Sequence, residues 1–358
     1  MLRALKRSVA SLHQNELIAK SLMTTKIGIN GFGRMGRLVV RALAHHEQLE
    51  ITHINELNCD AKTAAHLMQF DTVHGTWKRE AHESEGNLIL DGSSVKYSQI
   101  GSPGDIAWEE TDVSIVIECT GAFRTVEALS SYFNRGIRKV VVAAPVHDET
   151  VLNVVMGCND HLYDDHKYDI VTAASCTTNC IAPVVKVLHE QVGIDNGMIT
   201  TIHAPTNTQV VVDKPLADPR RARSSLNSLI PTSTGSATAI TRIFPDLEGK
   251  LDGLAVRVPV LNASLTDCVF SLQSEVNAQE TNELLRQAST AELEGILGYE
   301  DRPLVSADFV NDSRSGIVDG LSTLKLPNGL VKILVWYDNE YGYVHRMAEL
   351  TAKISKGL

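Results

Sequence analysis

Apolar positions recur along this chain with two periods. In the first half, Lys26 to Asn30, Glu50 to Asn55, Val113 to Glu118 and Lys139 to Ala143 are short runs rich in aliphatic and β-branched residues, which predicts strands. Helical stretches lie between them at Arg37 to His45 and Val126 to Arg135. Strand and helix in alternation indicate a parallel sheet with crossover helices. From Thr177 to Glu190 the apolar Ile181, Val184, Val185 and Leu188 are spaced by threes and fours, so a helix is predicted there. Strands are then expected near 197–205, 253–260, 264–274 and 331–337, with a last helix from about Glu340 to Lys356. The expected fold class is α/β in the first half and α+β, with a mixed or antiparallel sheet, in the second.

The turn after the first strand narrows the chemistry. Gly31-Phe32-Gly33-Arg34-Met35-Gly36 joins that strand to its helix, the context of a Rossmann dinucleotide site. The first glycine permits the tight turn, the second lets the backbone approach a pyrophosphate, and the third lets helix pack on strand. Glu56 ends the second strand about 20 residues later, where a carboxylate accepts hydrogen bonds from the adenine ribose. It also repels a 2′-phosphate, which favours NAD while NADP stays open. Thr120-Gly121 and Ala143 follow the ends of two later strands, where open α/β sheets bind ligands.

Ala174-Ser175-Cys176-Thr177-Thr178-Asn179-Cys180 puts Cys176 at the entrance of the 177–190 helix, whose exposed amides and positive dipole end favour a thiolate. The predicted strand Thr200-Thr201-Ile202-His203 supplies a histidine, the side chain best matched to proton transfer near neutral pH. On these residues alone the thiol suits a protease, a redox sensor or a dehydrogenase. Cys119, Cys158, Cys180 and Cys268 read as packing residues.

Composition sets the bounds. At 358 residues, 43% hydrophobic and 21% charged, the chain accommodates two domains with sizeable cores. A net charge of −10 argues against nucleic acid or an anionic membrane as partner, yet leaves room for a local phosphate pocket. Six cysteines without a CxxC pair predict neither a metal site nor structural disulfides, and fit a reducing, cytoplasmic setting. No apolar run approaches the ~20 residues that span a bilayer. The first 22 residues carry Arg3, Lys6, Arg7 and Lys20 against Glu16 alone. They read as a transit peptide for organellar import or as an extension upstream of a functional start at Met23.

Five ordered motifs, ASCTTNC, TTIHAPTNTQ, DPRRARSSLNSLIPTSTGSA, AVRVP and WYDNEYGY, together resemble the glyceraldehyde-3-phosphate dehydrogenase family from about Lys26 to the C-terminus. The resemblance implies an NAD-dependent phosphorylating aldehyde dehydrogenase of glycolytic type and a homotetramer. It assigns Cys176 as nucleophile and His203 as base, with Thr206, Thr208 and Arg257 on the substrate phosphate. Ser175, Thr177, Thr234 and Gly235 match the site of the attacking inorganic phosphate, and Asn339 beside Tyr343 matches the residue that orients the nicotinamide. It implies a cofactor domain of 23–174 with 339–358, a catalytic domain of 175–338, and an interface or structural role for Arg220, Arg221 and Arg223.

Departures from the family's common pattern bear on substrate and coenzyme. Glu56 replaces an aspartate, Ala143 a serine, Ala204-Pro205 a Ser-Tyr pair, and Lys214 an apolar residue, the last placing a cation near the adenosine. Asn55-Glu56-Leu57 is similar to the erythrose-4-phosphate dehydrogenase branch, although Thr206 and Thr208, lost there, are present here. Glu56 and HAPTNTQVVVD also resemble the branch associated with arsenical resistance, in which arsenate replaces phosphate as acyl acceptor. A non-catalytic NAD-binding thiol sensor is the reading from another class.

Overall fold

The computed structural model describes residues 24–358, so both readings of the first 22 residues lie outside the described part. Two sheets organise the chain. The first contains β1 (Thr25–Asn30), β2 (Leu49–Asn55), β3 (Ala81–Ser84), β4 (Asn87–Leu90), β5 (Ser93–Ser98), β6 (Ile115–Glu118), β7 (Lys139–Val142), β8 (Leu152–Asn153) and β9 (Ile170–Thr172). Its order is β3-β4-β5-β2-β1-β6-β7-β9-β8, parallel from β5 through β8, with an antiparallel β3-β4-β5 edge. The helices α1 (Arg34–Leu43), α2 (Ala61–Gln69) and α3 (Val126–Ser130) connect its strands.

α1 starts three residues before the predicted Arg37 and so contains Gly36. A Cβ at that glycine would lie 2.0 Å from Gly31 O, so only glycine lets the helix sit this close to the turn. α3 ends at Ser130, short of the expected Arg135, and a separate 3-10 turn covers Phe133–Arg135. The hydroxyls of Ser130 and Ser131 bond back to the Val126 and Ala128 carbonyls and compete with helix propagation.

α4 (Cys176–Gln191) leads into the second sheet, made of β10 (Ile194–His203), β11 (Ile230–Ser233), β12 (Leu251–Arg257), β13 (Ser264–Leu272), β14 (Leu297–Glu300), β15 (Gly316–Asp319), β16 (Leu324–Lys325) and β17 (Leu330–Tyr337). The order is β11-β12-β10-β13-β17-β15-β14, with β16 on β17. It is mixed, since β10 runs parallel to β12 and antiparallel to β13. Four of these strands match the expected spans to within a few residues; β11 and β14 to β16 carried too little pattern to be predicted, as did α5 (Ser236–Ile243) and α6 (Ala278–Ser289). One face alternates inward with Ile199, Cys268, Phe270, Ile333 and Val335, packed under Val184, Val185 and Leu188 of α4, Ile240 of α5 and Leu285 of α6. Pro183 lies inside α4 without ending it, because the residues around it are fully buried. The last helix, α7 (Tyr341–Ser355), leaves the second sheet and buries Tyr343, Val344, Met347 and Leu350 in the first core.

Candidate active site

A sharp turn from β9 into α4 presents the thiol. Ala174 takes φ +52°, a left-handed conformation costly for a residue with a Cβ. It is pinned on both sides, its N–H donating to Thr172 Oγ1 at 2.9 Å and its carbonyl accepting from Tyr343 Oη at 3.2 Å. Ser175 caps the helix, its Oγ accepting the Thr178 N–H at 3.2 Å, and Cys176 is the first helical residue.

His203 ends β10 and is buried, with Nε2 3.5 Å from Cys176 Sγ. The parallel register sets Arg257 of β12 directly beside it. Nδ1 lies 2.6 Å from the Ala204 carbonyl and 2.5 Å from Arg257 Nη1, which also donates to that carbonyl at 3.0 Å. One ring nitrogen cannot serve both neighbours. Donation of Nδ1–H to Ala204 leaves the Nε2 lone pair toward the sulfur, the tautomer of a base. An anion that draws Arg257 off the ring leaves the carbonyl as the remaining partner.

Burial, reinforced by the Arg257 charge, pulls His203 down to about 3. Burial also raises the Cys176 thiol, against smaller opposing effects of Arg257 and the Thr177 hydrogen bonds. The helix entrance is where the sequence puts it, and burial there opposes the thiolate that the helix end favours. Burial thus disfavours the charged form of both groups. Transfer of one proton between them creates both charges in contact, which a low-dielectric site tolerates better than either alone.

A cavity of about 630 Å³ brings together Ser175, Cys176, His203, Thr206, Thr208 and Asn339, with Arg34, Met35, Ala143 and Tyr343 also on its wall. Thr206 and Thr208 share a hydroxyl hydrogen bond of 2.9 Å. Asn339 Oδ1 accepts from Ser264 Oγ at 2.8 Å. Four predicted residues stand off the wall. The Thr177 hydroxyl pairs with Tyr337 Oη at 2.8 Å, Thr234 with Ser236, Gly235 caps α5, and Arg257 reaches the site through His203. Arg221, read from sequence as interface or structural, donates to Thr232 Oγ1 at 2.8 Å and reaches Thr208 Oγ1 at 3.5 Å, a second cation beside the hydroxyls. Tyr337 and Ser264 were missed as well; on strands of ordinary composition they carry no signal in the sequence.

A second cavity, of about 420 Å³, is lined by Gly31, Gly33, Glu56, Cys119 and Thr120, and meets the first at Arg34, Met35 and Asn207. The two form one cleft. The residues suit a dinucleotide: Gly31 takes φ +89° with its Cα against Thr120, and Gly33 caps α1 without a side chain, leaving first-turn amides for a pyrophosphate. Gly121 takes φ +71° next to Thr120. Phe32 is buried, and its N–H donates to Glu56 Oε2 at 2.7 Å, while Asn58 N–H donates to Oε1 at 2.9 Å. Each carboxylate oxygen keeps a lone pair for a ribose hydroxyl. Lys214 is exposed and lines neither cavity of this protomer. Cys119, on the cleft wall, is raised well above the ordinary thiol range by burial, as is Cys180.

Comparison with known proteins agrees with this geometry. Residues 25–126 match the NAD binding domain of glyceraldehyde 3-phosphate dehydrogenase, and residues 175–339 its C-terminal domain. Glyceraldehyde-3-phosphate dehydrogenase 3 of Nostoc sp. is 56% identical over 94% of this chain and 100% of its own length. The Geobacillus stearothermophilus enzyme is 44% identical over 94% of the chain and 100% of its own length. Glyceraldehyde-3-phosphate dehydrogenase 1 of Bacillus subtilis is 43% identical over 93% and 99%. A thiol 3.5 Å from an imidazole at the end of a dinucleotide cleft, and both domains matched in order, lead to one conclusion: the chain belongs to the glyceraldehyde-3-phosphate dehydrogenase family.

Proposed function

We propose that this protein oxidises glyceraldehyde 3-phosphate with NAD and transfers the acyl group from Cys176 to inorganic phosphate. The observation that carries the reading is the 3.5 Å Cys176–His203 pair in a cavity continuous with the dinucleotide cleft. His203 Nε2 takes the thiol proton as Sγ bonds to the aldehyde carbon and returns it to the former carbonyl oxygen, giving a neutral hemithioacetal and a free imidazole. NAD, when bound, would supply the hydride acceptor for oxidation of the hemithioacetal to the thioester. His203 then holds the proton of the hemithioacetal hydroxyl as the thioester forms, and assists the phosphate oxygen that displaces Sγ and releases an acyl phosphate. The Cys176 amide, at the first position of α4, has no intrahelical acceptor and is available to the oxyanion on the reacting carbon.

Thr206, Thr208, Arg221 and Arg257 hold the substrate phosphate by charge-assisted hydrogen bonds. Ser175, Thr177, Thr234 and Gly235 serve the attacking phosphate, Ser175 from the cavity wall and Thr177 from 3.9 Å beside the sulfur. Gly31 to Gly36, Glu56, Thr120, Gly121, Ala143 and Asn339 hold the coenzyme. Arsenate, also a tetrahedral oxyanion, fits the same acceptor role. A homotetramer is supported by the apolar residues this protomer leaves exposed: Met198 and Leu254 on the uncovered sheet face, and Val211, Val212, Leu226 and Leu229 in the 204–229 loop.

The test is NADH formation from glyceraldehyde 3-phosphate or erythrose 4-phosphate, with NAD or NADP, and with phosphate, arsenate or neither. Oxyanion-dependent turnover of glyceraldehyde 3-phosphate with NAD is expected. Normal NAD binding without turnover on any pairing would overturn the reading in favour of a thiol sensor. Sedimentation of the purified protein checks the tetramer.

A further inference from the structure

One wall of the Cys176 cavity is built from three segments far apart in sequence: Arg34 and Met35 at the start of α1, Thr72 and Val73 in the turn after α2, and Asn339, Glu340 and Tyr343 at the start of α7. Charged side chains fasten these segments together. Asp71 Oδ1 accepts the N–H groups of Val73 and His74, both at 2.9 Å, and shapes the turn. Arg41 holds the far end of the same turn through the Gly75 carbonyl at 3.1 Å. Arg34 pairs with Asp71 and also with Glu340, donating from Nε to Oε1 at 2.8 Å.

His74 completes the set from behind the wall. Its side chain is 1% exposed, and its ring stacks on Tyr341 of α7. Nε2 lies 3.0 Å from Glu340 Oε2 and Nδ1 2.7 Å from Asn311 Oδ1, with Asp338 Oδ2 4.0 Å away. Asp338 in turn accepts the Asn311 N–H at 2.8 Å. Both ring nitrogens therefore face oxygen acceptors, the pattern of an imidazolium. Arg34 bridges Asp71 and Glu340, with Arg37 and Arg41 adding positive charge nearby, and protonated His74 is the cation that faces Glu340 and Asp338 from the other side.

We propose that His74 is a positioning residue for the coenzyme: by bridging Asn311 and Glu340 it fixes the 338–340 segment, and with it Asn339 and Arg34, on the wall of the dinucleotide cleft. It acts through Glu340 and does not itself line the cavity. The inference rests on the reading of this cleft as the NAD site and not on the roles given to Cys176 and His203. Burial alone would lower the His74 pKa, but Glu340, Asp338 and Asn311 together raise it above the ordinary value. A raised histidine contributes while protonated and loses its contribution as pH climbs through its folded-state pKa. Glu340 and Asp71 are both lowered and Arg34 is raised, so none of these neighbours changes charge on that alkaline side.

The experiment is calorimetric titration of NAD into full-length wild type, His74→Leu and His74→Gln, at mildly acidic and mildly alkaline pH, with thermal midpoints recorded. Leu leaves Glu340 held by Arg34 alone and should weaken NAD about tenfold, the scale of one charge-assisted hydrogen bond. It should not change KM for the phosphorylated aldehyde. Gln keeps a donor for Glu340 and should restore most of the affinity while abolishing the alkaline loss seen in wild type. A folded Leu variant with wild-type NAD affinity at both pH values overturns the proposal. If Leu does not fold, a Gln variant that retains the alkaline loss overturns it. The titration requires no turnover, so an error in the catalytic roles of Cys176 and His203 would not alter its result.

Discussion

In the parallel ladder of β10 and β12, His203 stands across from Arg257, so the base and an anion-binding guanidinium are fixed by one register. Arg257 both crowds the His203 ring and adds to the lowering of its pKa. Arg257→Leu should raise KM for the phosphorylated aldehyde roughly ten- to a hundredfold, the value of a charged hydrogen bond at about 1.5–3 kcal/mol. The same variant should bring the His203 pKa up toward its usual range, measurable by NMR titration. Unchanged kinetics would remove Arg257 from phosphate recognition.

Cys176→Ser should abolish turnover while leaving NAD binding intact, and substantial residual activity would mean another nucleophile. His203→Asn should cost about 10²- to 10⁴-fold in kcat, the range for loss of a general base. Alkylation of Cys176 by iodoacetamide at neutral pH should slow in the same variant, because burial raises the thiol and the group that would take its proton is gone.

Glu56→Ala should narrow the preference for NAD over NADP, as read from the ratio of the two dissociation constants. It should also weaken NAD itself, since the carboxylate orders the Phe32 and Asn58 amides. A ratio equal to wild type would place coenzyme discrimination elsewhere.

Gly36→Ala should disrupt the cofactor unit. The added carbon would sit 2.0 Å from Gly31 O, and backbone on both sides leaves no flexible group to yield. A fall in the thermal midpoint together with loss of NAD affinity is expected; a variant that matches wild type in both would show that α1 can shift freely.

Acid should loosen the wall shared by Arg34, Asp71 and Glu340. Burial pushes Asp71 up, but the His74 and Val73 amides and Arg34 outweigh it and hold the carboxyl near a pKa of about 2. A depressed carboxylate contributes stability above its unfolded pKa and loses it as pH falls toward the folded value. Stability measured by denaturant between roughly pH 4 and pH 2 should therefore fall less steeply in Asp71→Asn than in wild type, and parallel curves would refute the assignment.

What the sequence alone determined was local. The glycine turn, Glu56 after the second strand, and Cys176 at a helix start are legible because each depends on backbone geometry within one strand-turn-helix unit, and residue type reports that geometry directly. The positions of the long strands along the chain followed from periodicity for the same reason. Only the tertiary structure decided which of these groups meet. His203 reaches Cys176 through the docking of β10 beside α4, Arg257 reaches His203 through sheet register, and Arg221 reaches Thr208 across a loop with no periodic pattern. Protonation was likewise beyond the sequence, which marks a helix end but not the burial that raises the Cys176 thiol. The His74 cluster joins positions 34, 71, 74, 311, 338 and 340, and such long-range pairing of charges arises from packing, which no run of neighbouring residues encodes.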